Sequence, residues 1–278
     1  MGCGTFARVT AVERNNVRSA GSPDGRPVMF AHGFGCDQRM WRSVIPAFTD
    51  TYHVVGFDHV GFGGSDASAF DASAYGALDR YADDVLEIIA EMDLRDLVFV
   101  GHSVSAMIGV LASIAEPGRI AGLVMVCPSP RYIDDDGYVG GFSEQDIGEL
   151  LRSLDSNYLG WSGAMAPVIM GNPDRPELSE ELRDSFCRVD PVIARHFARI
   201  TFLSDNRADL ERVAVPTLIL QSAVDAIAPP SVGTYVAARI PGSELSVLEV
   251  TGHCPHLSDP ALTAGVIRGF VDRLNSGS

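Results

Sequence analysis

A serine within a short apolar stretch is the first candidate for chemistry. Residues 98–109 (VFVGHSVSAMIG) run from an apolar strand through a sharp turn into a helix of small residues. A G-x-S-x-small turn in that setting strains the serine backbone and lifts its hydroxyl out of the sheet, the geometry of a nucleophile elbow. Ser103 is therefore the expected nucleophile, with Ser105 at the position where the pattern has glycine. Serine is small enough for the close approach of helix and strand. A serine nucleophile needs a base, and the base needs a carboxylate to orient it. Where such an elbow leads, the acid and then the histidine follow in the chain. His196, His253 and His256 lie beyond Ser103. His253 is preferred because Val250-Thr251-Gly252-His253 follows directly on a strand, and His256 is kept as an alternative or supporting group. Asp225, just after the strand ending at Gln221, is the expected acid; Asp205 and Asp209 precede that strand and are poorly placed.

Attack on a carbonyl also needs two donors waiting for the developing oxyanion. The N–H of Val104, at the start of the elbow helix, is one. The second is expected from Ala31-His32-Gly33-Phe34-Gly35, with the N–H of Phe34 as donor. Together these residues would perform acyl transfer with no metal or organic cofactor. Other candidates read as structural. The loop at 58–66 (DHVGFGGSD) lacks the spacing of a dinucleotide site, so it is a structural loop with Asp58 buttressing the site. His253, Cys254 and His256 find no further metal ligand at suitable spacing. The run Asp134-Asp135-Asp136 is a solvated loop, and His196 lies in a helical region away from the strand ends.

The elements that must position these groups follow from pattern. Apolar runs at 27–31, 53–57, 97–100, 123–127, 217–221 and 245–250 read as strands, with a helix over 76–92 and a closing helix over 261–274. Strands apolar on both faces and separated by helices imply a mostly parallel sheet covered on both sides. Residues 129–212 break the alternation, with helical patterns near 144–158, 161–170, 178–187 and 191–203. This divides the chain into a core (1–128 and 213–278) and an inserted helical lid (129–212) above the ligand-binding edge of the sheet. The first dozen residues read as a poorly anchored arm.

Composition narrows the class. The 278 residues hold no lysine, 21 Lys+Arg against 36 Asp+Glu, a net charge of −15 and five cysteines. A pI near 4.7 argues against nucleic acid and anionic membranes. No stretch approaches the ~18 apolar residues of a membrane span. No signal peptide is visible, and Met1-Gly2 lacks a serine or threonine at position 6, so a cytoplasmic protein with reduced thiols is expected.

These residues together resemble the α/β-hydrolase superfamily, and within it the RsbQ-type bacterial stress-signalling hydrolases, which are related to plant karrikin and strigolactone receptors. The resemblance is carried by residues 32–38 (HGFGCDQ) with Trp41, 101–109 (GHSVSAMIG), 129–132 (SPRY), 140–142 (GGF), 172–177 (NPDRPE), 186–187 (FC), 190–195 (DPVIAR) and 252–256 (GHCPH). It implies the α/β-hydrolase fold with a four-helix lid, a triad of Ser103, Asp225 and His253, and a small apolar pocket lined by Phe34, Val104, Tyr132, Trp161, Met165 and Phe202. It implies hydrolysis of small esters or lactones of the butenolide kind, and a sensor-domain phosphatase as a possible partner in sigma-factor signalling. The alternatives are a ligand receptor with little turnover, or a carbon–carbon bond hydrolase or cofactor-free haloperoxidase using the same triad.

Overall fold

The computed structural model describes residues 9–276. Met1-Gly2 and Cys3 lie outside that range. Six apolar runs become strands as expected: β2 (Pro27–Ala31), β3 (His53–Gly56), β4 (Leu97–His102), β5 (Ile120–Val126), β6 (Thr217–Val224) and β7 (Glu244–Thr251). A strand that the pattern does not reveal precedes them, β1 (Arg18–Gly21). All four of its residues are exposed, so it carries no apolar signal. It pairs antiparallel with β3, and the other pairings are parallel. The strand order is β1-β3-β2-β4-β5-β6-β7.

That order contains the feature that matters for function. From β2 the chain runs outward to β3, then returns to β4 on the other side of β2. The loops leaving β2 and β4 therefore diverge, and open parallel sheets bind ligands in the crevice so formed. The order puts the loop carrying Phe34 next to the turn carrying Ser103.

The sheet is covered on both faces. α3 (Val104–Ala115) packs on β4 and β5. A Cβ on its Gly109 would lie 2.6 Å from Phe99 and 3.4 Å from Leu123, and a Cβ on Gly122 would meet Leu274 and Phe270 of the last helix. Successive strand residues face opposite ways, so the two helices lie on opposite faces of β5. Before the sheet stands α1 (Ala11–Arg14). This overturns the expected arm over its last residues: Thr10 and Glu13 form a capping box, Ala11 is buried, and Arg14 bonds Asp84 and Glu87 at 2.7 and 2.6 Å. The latter two belong to α2 (Leu78–Glu91). A four-residue helix is too short to leave a periodic pattern in the sequence.

Between β5 and β6 the chain inserts α4 (Glu144–Ser156), α5 (Tyr158–Met170), α6 (Pro176–Cys187) and α7 (Pro191–Leu203). Their ends follow local chemistry. Ser143 and Asp146 form a capping box on α4, Asn157 caps α5, and Asp190 accepts from the N–H groups of Val192 and Ile193 ahead of α7. Pro176 and Pro191 sit where a helix start needs no N–H. α5 stops at Gly171, whose φ of 61° suits glycine. The chain closes with α8 (Pro230–Arg239), α9 (Pro255–Ser258) and α10 (Pro260–Ser276). Among the described residues no helix is long and apolar enough to cross a membrane.

Two glycines test this packing in opposite directions. Gly109→Ala forces a methyl against the Phe99 ring and is expected to cost roughly 1–3 kcal/mol. Gly265→Ala, on the exposed side of α10 where an added Cβ meets nothing within 4 Å, is expected to add about 0.5–1 kcal/mol. Urea denaturation of the two variants beside the parent checks both signs.

Candidate active site

Ser103 joins β4 to α3 with φ 55° and ψ −122°. A non-glycine residue held there costs on the order of 1–3 kcal/mol and persists only where its surroundings enforce it. Three constraints do so. The Ser103 N–H donates to the carbonyl of Val126 at 2.8 Å. Gly101 lies so close to the first turn of α3 that a Cβ would sit 2.4 Å from the carbonyl oxygen of Ser105. Gly33, in the loop after β2, crosses directly over the turn, and a Cβ there would lie 2.5 Å from His102 Nδ1.

The Ser103 Oγ is 2.9 Å from His253 Nε2, and His253 Nδ1 is 2.8 Å from Asp225 Oδ2. Because Asp225 is an acceptor, the Nδ1 nitrogen carries the proton, and Nε2 is left to accept from the serine hydroxyl. The other carboxylate oxygen of Asp225 accepts from the N–H groups of Ile227 and Ala228 at 2.8 and 3.0 Å. Burial pushes this carboxyl up, but His253 and those two N–H groups outweigh burial and hold it below the usual carboxylate range. All three side chains are buried. His253 is gripped through its backbone as well: its N–H donates to Ile169 of α5 at 2.8 Å, and its carbonyl accepts from His102 Nε2 at 2.9 Å.

The loop expected to supply the second oxyanion donor is held by a buried network that the sequence does not announce. The His59 N–H donates to His32 Nε2 at 3.1 Å. This leaves the proton of His32 on Nδ1, which donates to the carbonyl of Gly33 at 2.9 Å. That carbonyl and the N–H of Phe34 belong to one planar trans peptide and point opposite ways. Holding the oxygen therefore aims the Phe34 N–H. Ser105 completes the network, its hydroxyl bonding both the carbonyl of His32 and His59 Nε2. The residue that departs from the elbow pattern thus ties the elbow helix to the oxyanion loop, which glycine could not do. The N-terminus of α3 has no side-chain cap, and the N–H of Val104, its first residue, is among those that a helix leaves without an intrahelical partner.

Above these groups lies a narrow, mostly apolar cavity. The structure gathers Phe34, Tyr132, Trp161, Met165 and Phe202 around it, with Ser103 and His253 at its floor. Val104, expected among them, does not line it: its side chain turns with the first residue of α3 into the buried core. Cys36, His102, Ile169, Leu182, Phe186, Thr201, Ile227 and Cys254 complete the wall. As single, mostly apolar residues in helices and loops they carry no signal that separates pocket from core.

The remaining candidates fall elsewhere. His256 is fully buried against Trp41, with ring centroids 4.5 Å apart, and does not bond Ser103. His196 Nε2 donates to the Tyr75 carbonyl, 2.8 Å away, and so ties α7 to the core. Asp205 pairs with Arg131 and Arg207, and Asp209 with Arg212. Asp58 accepts from Asn16, Gln38 and Gly64, fastening the loops after β2 and β3. Asp134–136 is exposed but not merely solvated, since Asp134 receives the N–H groups of Gly140 and Gly141 and Asp135 pairs with Arg207. The ligand atoms of His102, Cys254 and His256 lie within 4.8 Å of one another, as do those of Cys127, Asp225 and His253. The fold thus supplies Cys254 and His256 with a neighbour, His102, that sequence spacing does not reveal.

The chain has relatives among known proteins. The pattern of the Alpha/beta hydrolase family matches residues 28–266. The chain belongs to that family. It is 38% identical to the karrikin insensitive 2 receptor CA of Petunia hybrida over 256 residues, 92% of this chain and 94% of that protein. It is also 38% identical to the strigolactone esterase D14 of Arabidopsis thaliana over 263 residues, 94% of this chain and 98% of that protein. Among solved structures, a hydrolase from Oleispira antarctica superposes with a TM-score of 0.92 at 42% identity, covering 94% of this chain and 96% of that one. The mostly parallel sheet with helices on both faces, expected from the strand pattern, is the α/β-hydrolase fold that the family resemblance implies.

The buried histidines set a pH dependence. Burial lowers the pKa of His32, His59, His102 and His256, that of His102 to about 3. Unfolded, each would take a proton near ~6.5. Below that pH the unfolded chain binds more protons than the folded one, so stability falls as pH falls. Each such histidine contributes up to about 1.4 kcal/mol per pH unit until its folded pKa is reached. Asp225 adds its own loss only lower, in the carboxylate range. Thermal melting between pH 7.5 and 5 is expected to show this decline, and His256→Leu is expected to flatten it. An unchanged slope in that variant would remove His256 from the account.

Proposed function

We propose that this member of the alpha/beta hydrolase family is a serine hydrolase of small, uncharged esters or lactones, of the butenolide kind. The observation that carries the reading is the unbroken chain of hydrogen bonds from Asp225 through His253 to Ser103, opening into an apolar cavity. Ser103 attacks the carbonyl while His253 takes its proton, and Asp225 holds the imidazole and balances its charge. The N–H groups of Phe34 and Val104 receive the oxyanion. His253 then protonates the leaving oxygen, and water repeats the sequence to free the acid. The chemistry needs no cofactor.

The wall of large aromatic and aliphatic side chains, with no cation among the lining residues, favours neutral ligands over carboxylates. A lactone-type ligand accords with the names of two relatives, a karrikin receptor and a strigolactone esterase, each 38% identical. Residues 129–212 act as the lid in this reading, since Trp161, Met165 and Phe202 on the inserted helices roof the cavity. The receptor name of one relative also favours a second role, in which ligand capture or slow turnover is read by a partner. A sensor-domain phosphatase of an RsbQ-type stress pathway is the partner proposed, in a cytoplasm where free Cys36, Cys127, Cys187 and Cys254 stay reduced.

The decisive experiment compares the parent with Ser103→Ala on p-nitrophenyl acetate and on a synthetic butenolide. Hydrolysis is expected to fall by at least about 10³-fold with the melting temperature unchanged. Full activity in the variant would overturn the mechanism. Fast turnover of the simple ester marks a general esterase. Slow turnover of the butenolide with a ligand-dependent shift in melting temperature marks a receptor-like hydrolase.

A further inference from the structure

Tyr132 is buried to within 1% of full burial, and its hydroxyl lies 3.3 Å from Ser103 Oγ. A pocket wall needs only the ring. A buried hydroxyl is costly unless a partner meets it, and this one is directed at the nucleophile. Its position is also enforced. The carbonyl of Tyr132 accepts from the Phe142 N–H at 3.2 Å, and Gly140 passes so close that a Cβ would lie 2.5 Å from that same oxygen. The Tyr138 hydroxyl bonds the carbonyl of Arg131, and the Tyr132 ring stands edge-on to Phe202 with centroids 5.0 Å apart.

Sheet order decides which part of the reaction this hydroxyl faces. The oxyanion loop leaves β2, on one side of β4. Tyr132 hangs from β5, on the other side, the flank where β6 and β7 carry Asp225 and His253. The oxyanion is thus met from the β2 side and the departing group from the β5 side. We propose that Tyr132 is a catalytic residue whose phenolic O–H stabilises the leaving oxygen as the tetrahedral intermediate collapses.

In the resting site the Tyr132 O–H donates to Ser103 Oγ, whose own proton points to His253. After attack, Oγ and the leaving oxygen share one carbon, and the tyrosine hydrogen bond passes from the first to the second. The carbon–oxygen bond breaks, its electron pair stays on the leaving oxygen, and His253 supplies the proton. Tyr132 keeps its own proton throughout. Burial pushes its phenol above the ordinary range, so it remains a donor.

The inference rests on the hydrolase reading above, and the experiment separates the two. The parent, Tyr132→Phe and Ser103→Ala are assayed on acetate esters whose leaving groups run from p-nitrophenol through phenol to ethanol, with kcat/KM as the measure of acylation. Tyr132→Phe is expected to lose less than about 3-fold on the nitrophenyl ester and roughly 10–100-fold on the ethyl ester, since a donor to the leaving oxygen matters most where negative charge builds up there. Loss by the same factor across the series would overturn the proposal in favour of an oxyanion or structural role. No loss at all would reduce Tyr132 to pocket wall. If Tyr132→Phe melts early, 3-fluorotyrosine at position 132, a stronger donor in the same ring, must make the dependence on leaving group shallower, and an unchanged dependence would overturn it. Hydrolysis surviving in Ser103→Ala would instead defeat the underlying mechanism, whatever Tyr132→Phe shows.

Discussion

The left-handed backbone of Ser103 is the constraint around which the carboxyl edge of the sheet is arranged. An N-terminal helix serine normally turns its oxygen back onto the N–H groups of the first turn. At φ 55° Ser103 cannot do so, and α3 begins without a side-chain cap. The strain therefore does two things at once. It frees the hydroxyl for His253, and it sets that hydroxyl beside the first N–H of the helix, which has no intrahelical partner and which an oxyanion can use. The cost is met by geometry that only glycine permits: Gly101 beneath the turn and Gly33 across it each approach too closely for a Cβ.

A layer of neutral, buried histidines carries this arrangement into the core. His32 and His59 share one hydrogen bond, Ser105 joins them to the elbow helix, and His102 holds the carbonyl of His253. Each ring has its tautomer set by a backbone group or a hydroxyl rather than by a charge. In a low-dielectric interior such bonds are strong and unpaired charge is expensive. The layer thus orients the loops without bringing a second ion near Asp225 and His253.

How far the sequence discloses this molecule depends on what each element exposes. β2, β4 and β5 are buried almost throughout and read as continuous apolar runs. The inserted helices show in their apolar spacing, but the break at Asn157 between α4 and α5 does not, and the pattern runs through it to 158. Ser103, Asp225 and His253 can be singled out because each follows a strand at the same edge and the chain order is restrictive. β1 is exposed on every residue and α1 spans a single turn, so neither leaves a pattern. The work of Ser105 and His59 is equally hidden: their partners lie 73 and 27 residues away, and nothing local marks a hydroxyl as a bridge rather than a small side chain. Val104 was expected in the pocket wall by matched position, yet helical geometry sends its side chain inward while its N–H stays at the site.

The inserted helices are bound to the base as well as placed above it. α5 contributes Trp161, Met165 and Ile169 to the cavity wall, and the carbonyl of Ile169 in its last turn accepts from the N–H of His253. Just beyond, Gly252 comes within a Cβ's reach of the Met170 carbonyl, 2.0 Å from where that atom would stand, and Asn172 bonds the carbonyl of Thr251 at 2.8 Å. The C-terminal end of α5 is therefore tied to the segment that carries His253, while its first turn is anchored to α6, where the Tyr158 hydroxyl donates to the carbonyl of Phe186 at 2.9 Å. Trp161 and Met165 thus meet a ligand on the same helix that grips the backbone of His253. The cavity wall and the placement of His253 are in this way joined through one helix.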